Sequence, residues 1–188
     1  MDRVADGAAI GRRALLAGAL GTNLAVPALA AQDDASVEAI VATHPEPAPA
    51  GRWAISILAR VGDAMEVGEG PDGARRIVPI VGGSFQARSL RGIVLPGGAD
   101  RQRLRGDGIR ELDALYELRG DDGTLLTVHN QVMIDNMVPP GQPRYARSVV
   151  RIAAPQGPHG WLNRRIFVGT LTSLRPARPL VLIRVYEM

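Results

Sequence analysis

Three stretches of this chain put a polar side chain where strand alternation calls for core. Tyr116 falls on the face made by Leu112, Ala114 and Leu118, and Asn130 on the face made by Leu126, Val128 and Val132. Arg184 and Tyr186 alternate with Val181, Ile183 and Val185 in a run apolar on both sides. A buried phenol, amide or guanidinium without a partner costs about 1–3 kcal/mol or more, so such groups meet one another or a ligand. In a rolled-up sheet the inward positions of different strands converge on one cavity. The expected chemistry is therefore the binding of an oxygen-bearing, partly apolar small molecule. Arg184 would take a carboxylate or carbonyl oxygen, Tyr116 and Asn130 would act as donors, and Trp161 would form an apolar wall. Asp100 and Asn163 are loop residues expected to close the barrel mouth, and both also suit turn hydrogen bonding. A structural network, with Arg184 paired to a carboxylate across the sheet, is the competing reading.

Other chemistries are excluded or poorly supported. All 22 basic residues are Arg, and there is neither Lys nor Cys, which removes Schiff-base chemistry, thiol nucleophiles, disulfides and Cys-ligated zinc. His44, His129 and His159 lack metal-ligand spacing, so no metal site is expected. Gly68-Glu69-Gly70-Pro71-Asp72-Gly73 matches a dinucleotide fingerprint only formally. Pro71 removes a donor, two carboxylates would repel a pyrophosphate, and a strand follows where a helix must begin. No serine has a Gly-x-Ser-x-Gly setting. Arg101, Arg103 and Arg105 share one strand face, read as solvated. Asp113 is three residues from Tyr116, an odd spacing that puts it on the opposite, outer face. If the site is catalytic, it is expected to carry proton transfer or addition–elimination, with Tyr or Asp as acid or base and no cofactor.

These residues are positioned by short segments rich in Val, Ile, Leu and Thr between regular turn signals: Pro71-Asp72-Gly73, Pro96-Gly97-Gly98, Gly106-Asp107-Gly108 and Gly120-Asp121-Asp122-Gly123. That spacing predicts an all-β sandwich or barrel. In 54–61, Ile55, Ile57 and Val61 share a face. Segments 166–174 and 180–187 read as strands buried on both sides, and 109–118, where a helix also fits, reads as a strand between its two Gly-Asp turns.

The chain is expected to be organised as a signal peptide over residues 1–30, a linker over 31–51 and one folded domain over 52–188. Arg12-Arg13 precedes an uncharged, moderately apolar stretch that ends in Ala28-Leu29-Ala30. This pattern fits a twin-arginine export signal cleaved near Ala30, with a retained membrane anchor as the alternative. Three prolines within 45–49 make an extended tether. Loss of residues 1–30 removes three arginines and two aspartates from a +3 chain and leaves +2. So small a surplus does not imply a nucleic-acid partner. The expected location is periplasmic or secreted, with no stable membrane insertion after cleavage, and exposed barrel faces are compatible with a homodimer.

The folded part resembles the domain of unknown function 3237 family, also called uncharacterised protein family 0311. The likeness rests on Arg75-Arg76-Ile77-Val78-Pro79-Ile80-Val81-Gly82-Gly83-Ser84-Phe85, Gly92-Ile93-Val94-Leu95-Pro96-Gly97-Gly98-Ala99-Asp100 and Leu112-Asp113-Ala114-Leu115-Tyr116. Asp121-Asp122-Gly123, Trp161 to Gly169 and Ile183-Arg184-Val185-Tyr186-Glu187 complete it. The resemblance implies a small, mostly antiparallel β-barrel of lipocalin-like or allene-oxide-cyclase-like appearance, and no particular reaction. Where the family usually has Trp after Gly-Gly-Ala-Asp, this chain has Arg101. Ala146, Ile152 and Ala153 stand where it usually has aromatic or acidic side chains, which implies an emptier, less acidic pocket. A non-catalytic envelope interaction module with a filled core is the reading from another class.

Overall fold

The structure is a computed structural model that describes residues 37, 42, 43, 49–139 and 141–188. The expected signal peptide (1–30) and most of the expected linker (31–51) lie outside the described residues. From Arg52 onward the chain is all-β. Its strands are β1 (Arg52–Val61), β2 (Met65–Gly70), β3 (Gly73–Ala87), β4 (Arg91–Val94), β5 (Gly98–Leu104) and β6 (Ile109–Gly120). They continue as β7 (Leu125–Asp135), β8 (Ala146–Ala153), β9 (Phe167–Ser173) and β10 (Leu180–Glu187), with a 3-10 helix over Gly160–Arg164 between β8 and β9.

Every pairing is antiparallel, and β1 pairs with both β10 and β3, which closes the sheet into a barrel. One of the eight wall positions is shared. β4 bridges the later part of β3 to the end of β6, and β5 bridges the earlier part of β3 to the start of β6. Pro96, which has no N–H to give a ladder, lies in the break between them. β2 is an overhang paired with β3.

The turns follow from residue chemistry. At Gly120–Thr124 the Gly123 N–H donates to the Gly120 carbonyl, and Asp122 Oδ1 accepts the Thr124 N–H at 2.9 Å. Gly123 sits at φ 85°, a region that costs a side chain dearly. Segment 109–120 is indeed a strand; alternation decides it, since Leu112, Ala114, Tyr116 and Leu118 are buried while Asp113 and Leu115 are exposed. β9 and β10 differ from the sequence reading. Only their inward residues, such as Phe167, Ile183 and Val185, are fully buried; outward positions are partly or wholly exposed.

The interior is layered. The larger apolar cluster includes Ile57, Phe85, Leu118, Leu126, Val128 and Phe167. A smaller one, Leu112, Val132, Ile134 and Ala146, is separate from it. Along β7 the inward order is Leu126, Val128, Asn130, Val132, Ile134, and along β8 it is Ile152, Val150, Ser148, Ala146. On both strands a polar residue stands where the two clusters part.

Candidate functional site: a polar band inside the barrel

The residues at that division come from four consecutive strands. Asp100 on β5 lies opposite Ala114 on β6, which lies opposite Asn130 on β7, which lies opposite Val150 on β8. Tyr116 is two residues along β6 from Ala114, and Ser148 is two along β8 from Val150, so both join the band on its inward side. Ala114 is short, which leaves Asp100 and Asn130 facing each other across it.

Burial is nearly complete. Tyr116 and Asn130 are 1% exposed, Ser148 6% and Asp100 8%. Asp100 Oδ1, Tyr116 OH, Asn130 Oδ1 and Ser148 Oγ have no hydrogen-bond partner among the described residues. Four such atoms would cost about 1–3 kcal/mol each if nothing satisfied them. Other described residues do not bond these four atoms, although the second Asp100 oxygen, Oδ2, is bonded.

Glycines make room for the band. A Cβ on Gly98 would lie 2.5 Å from the Tyr116 Cβ and 2.8 Å from the Leu115 carbonyl oxygen. One on Gly169, opposite Ser148 in the β8–β9 register, would lie 2.4 Å from Ser148 Oγ. Close packing forbids a side chain at either place without displacing the polar residue.

Electrostatics set the protonation states. Burial pushes the Asp100 carboxyl up to about 6, against the opposing pull of hydrogen bonds from Gln102 and the Asp113 backbone. Gln102 Nε2 donates to Asp100 Oδ2 at 2.6 Å, and Arg76 Nε donates to Gln102 Oε1 at 2.8 Å. Burial, followed by the Asp100 charge, pushes the Tyr116 phenol well above its ordinary range, so it stays protonated. The band thus offers a phenol donor, a carboxyl able to exchange a proton near neutrality, an amide and a hydroxyl. That set can orient a carbonyl or phenolic oxygen and move a proton to or from a neighbouring atom.

The structure brings together only some of the expected site residues. Asp100, Tyr116 and Asn130 share the band; Asp100 is a strand residue of the wall and does not cap the mouth. Arg184 is on the outside and exposed, because Ile183 and Val185 take the inward positions and strand alternation turns the residue between them outward. It pairs with Ser56 and Thr170 in the register and cannot reach the interior. Asn163 is exposed and staples a loop: its side chain accepts the Ala154 N–H at 3.0 Å and donates to the Ala154 carbonyl at 2.9 Å. Ala154, one residue past the end of β8, is six residues from Ser148, about 20 Å at strand rise. Trp161 packs on the larger cluster, 6.1 Å from the Phe167 ring and 5.5 Å beneath the Arg88 guanidinium. Trp161 and Asn163 line a separate surface pocket of about 780 Å³ with Arg164 and Arg165.

Sequence reasoning missed Ser148, Gln102 and Arg76. The signal was present: if Arg101 and Arg103 share the outer face, Asp100 and Gln102 share the inner one. Arg101, the departure from the family's Trp, is exposed on the outside, so it empties no interior pocket. Ala146 and Ile152 do face inward, whereas Ala153 is exposed. Asp113 is outside as expected and meets His129 Nε2 at 2.6 Å. Arg103 and Arg105 pair with Glu111 and Asp107 at the surface. Among the described residues no three His, Asp or Glu side chains converge in a way that could hold a metal ion.

Known proteins share this barrel. The family described as proteins of unknown function, DUF3237, matches residues 49–188. The chain belongs to the DUF3237 family. A UPF0311 protein of Rhodopseudomonas palustris is 34% identical over 130 residues, spanning 63% of this chain and 85% of that protein. The crystal structure of a conserved protein of unknown function from Rhodopseudomonas palustris is similar with a TM-score of 0.67 at 31% identity, covering 76% of this chain and 99% of that one. A beta-barrel like protein from Acinetobacter baumannii is similar with a TM-score of 0.67 at 25% identity, covering 76% of this chain and 98% of that one. The DUF3237 match begins three residues before β1 and runs through β10, so it takes in every strand that carries the polar band.

Proposed function

We propose that this DUF3237 protein binds a small, partly apolar, oxygen-bearing molecule inside its barrel, at Asp100, Tyr116, Asn130 and Ser148. One observation carries the reading: four buried polar atoms on four adjacent strands take inward positions over three successive rows and have no hydrogen-bond partner among the described residues. An apolar layer would be the more stable filling unless something bonds to these atoms. In the catalytic form of the proposal, Asp100 Oδ1 exchanges a proton with the bound molecule while Tyr116 OH donates to its developing oxyanion. This supports enolisation or addition–elimination without a cofactor. The reading includes export by residues 1–30, tested by cell fractionation and N-terminal sequencing of the mature chain.

The decisive experiment is native mass spectrometry of the purified protein, followed by thermal-shift screening of a broad set of small carbonyl and phenolic compounds. The reading expects a bound mass or a stabilising compound whose effect is lost in Asn130→Leu. Absence of both overturns it. The alternative, a non-catalytic interaction module, draws on a groove of about 1180 Å³ on the outer wall, where Arg101, Met133, Arg147 and Val149 are exposed. Sedimentation of Arg147→Glu against the unaltered chain tests it, including the homodimer form. An unchanged sedimentation coefficient counts against association through this face.

A further inference from the structure

Beyond the polar band, the same interior carries charge that nothing so far uses. Arg76 on β3 and Arg110 on β6 are both half-buried and both take inward positions, by alternation with Val78 and Leu112. They flank β5 diagonally: Arg76 is opposite Gln102, and Arg110 is opposite Leu104 on one side and Ile134 on the other. The Arg110 side chain has no hydrogen bond or ion pair among the described residues. Arg76 spends its Nε on Gln102 and has none for its two terminal nitrogens. Next to them is the smaller apolar cluster of Leu112, Val132, Ile134 and Ala146.

The Arg110 guanidinium feels the positive charges of Arg76 and Arg144, and Glu66 and Asp100 are the acidic groups that oppose them there. Three positive groups therefore face two acidic ones, so the local surplus is one charge with Asp100 ionised and two with it protonated. That surplus suits a monoanion better than a dianion. Planar guanidinium forks match a carboxylate in particular. The row of Arg76, Gln102, Leu112 and Val132 lies two residues along the strands from the row of Asp100 and Asn130. That is a separation of about 7 Å at strand rise.

We propose that the interior site is two-ended and selects a short apolar monocarboxylate: its carboxylate on Arg76 and Arg110, its body against the smaller apolar cluster, and a second, neutral oxygen in the polar band. This rests on the interior-binding reading above and adds the chemical class of the ligand. A row separation of about 7 Å is the scale of one aromatic ring, so an aromatic acid with a hydroxyl or carbonyl across the ring is the ligand class to test.

Three probes differing at one end each test it: 4-hydroxyphenylacetate, its amide, and phenylacetate, titrated into the full-length chain by NMR. The acid is expected to bind about tenfold more tightly than the amide, the scale of one charge-assisted pair. Arg110→Gln should erase that difference. Arg76→Gln, which keeps a partner for Gln102, is the second variant should the first fold poorly. Phenylacetate should bind several-fold more weakly than the hydroxylated acid, and Asn130→Leu should erase that gap. Equal binding of acid and amide, with the hydroxyl still sensed through Asn130, overturns the carboxylate selection and leaves the interior site standing. A preference for the acid that survives both arginine variants also overturns it. If none of the three binds, the proposal falls, and if the wider compound screen is silent as well, the interior reading falls with it.

Discussion

Two carboxylates with nearly equal exposure, Glu187 at 7% and Asp100 at 8%, live in opposite surroundings. Glu187 ends β10 beside three arginines: Oε2 accepts from Arg88 at 2.6 Å and Arg52 at 2.9 Å, and Oε1 accepts from Arg165 Nε at 2.9 Å. Those bonds, Arg88 first, hold its carboxyl down at about 2. Asp100 has one side-chain donor, one oxygen without a partner among the described residues and a carboxyl raised to about 6. The difference separates two uses of buried charge. Glu187 ties together β1, β10, the β3–β4 turn and the segment before β9, and both its oxygens are engaged. Asp100 is held at one oxygen and left available at the other, the arrangement expected of a group that meets a ligand.

The largest effect should come from Glu187→Ala, which leaves three guanidiniums converging on nothing. Its melting temperature should fall further than that of any variant below. The sign with pH follows from the depressed carboxyl: Glu187 stabilises the fold fully above its ordinary value near 4.5, and this is lost as pH falls through about 2. The gap between variant and parent should therefore close toward low pH in thermal scans, and a gap independent of pH would break the contrast.

Next, Gly98→Ala should destabilise by about 1–3 kcal/mol in denaturant titration, because its Cβ would strike both the Tyr116 side chain and a backbone oxygen. Asp100→Asn should do the reverse. A raised carboxyl contributes stability below its unfolded value of 3.8 and loses it as pH climbs through about 6. The amide should thus be more stable than the parent by about 1–3 kcal/mol at pH 7.5 and equal to it at pH 4, measured by urea unfolding at both values. Destabilisation at pH 7.5 would mean that Asp100, like Glu187, is a structural tie. The smallest change belongs to Ser148→Ala. Removing a buried hydroxyl without a partner should leave stability within about 1 kcal/mol of the parent, on the favourable side. A clear loss would show that Ser148 has a partner.

Strand parity accounts for what could be read from sequence and for what could not. Turn spacing sufficed for the all-β architecture, and alternation placed Tyr116 and Asn130 inside and Asp113 outside. The error at Arg184 has a physical origin. The outward face of β10 carries Leu182 and Tyr186, both half-buried, so the strand looks apolar on both sides and its inward face cannot be chosen by composition. Trp161 and Asn163 both lie in a short 3-10 helix between strands, where no strand periodicity reports direction. Ser148 and Gln102 were legible in principle, Ser148 between Ala146 and Val150, Gln102 as the partner in phase with Asp100. A single short polar residue in a strand is too common to mark a site until its neighbours across the sheet are known. Arg76 and Arg110 acquire meaning only from the register that sets them on either side of β5.

The overhang of β2 has a consequence for assembly. Beyond its ladder with β3, its outer edge has no strand partner among the described residues, and it is a place where a barrel closed by β1–β3 pairing could be extended. That edge carries Glu66 and Glu69 and is kinked by the register shift between Glu66 and Gly68. A second molecule adding itself there back-to-back would set carboxylates against carboxylates on a bent ribbon. Unpaired edges of this sort resist the stacking that seeds fibrils.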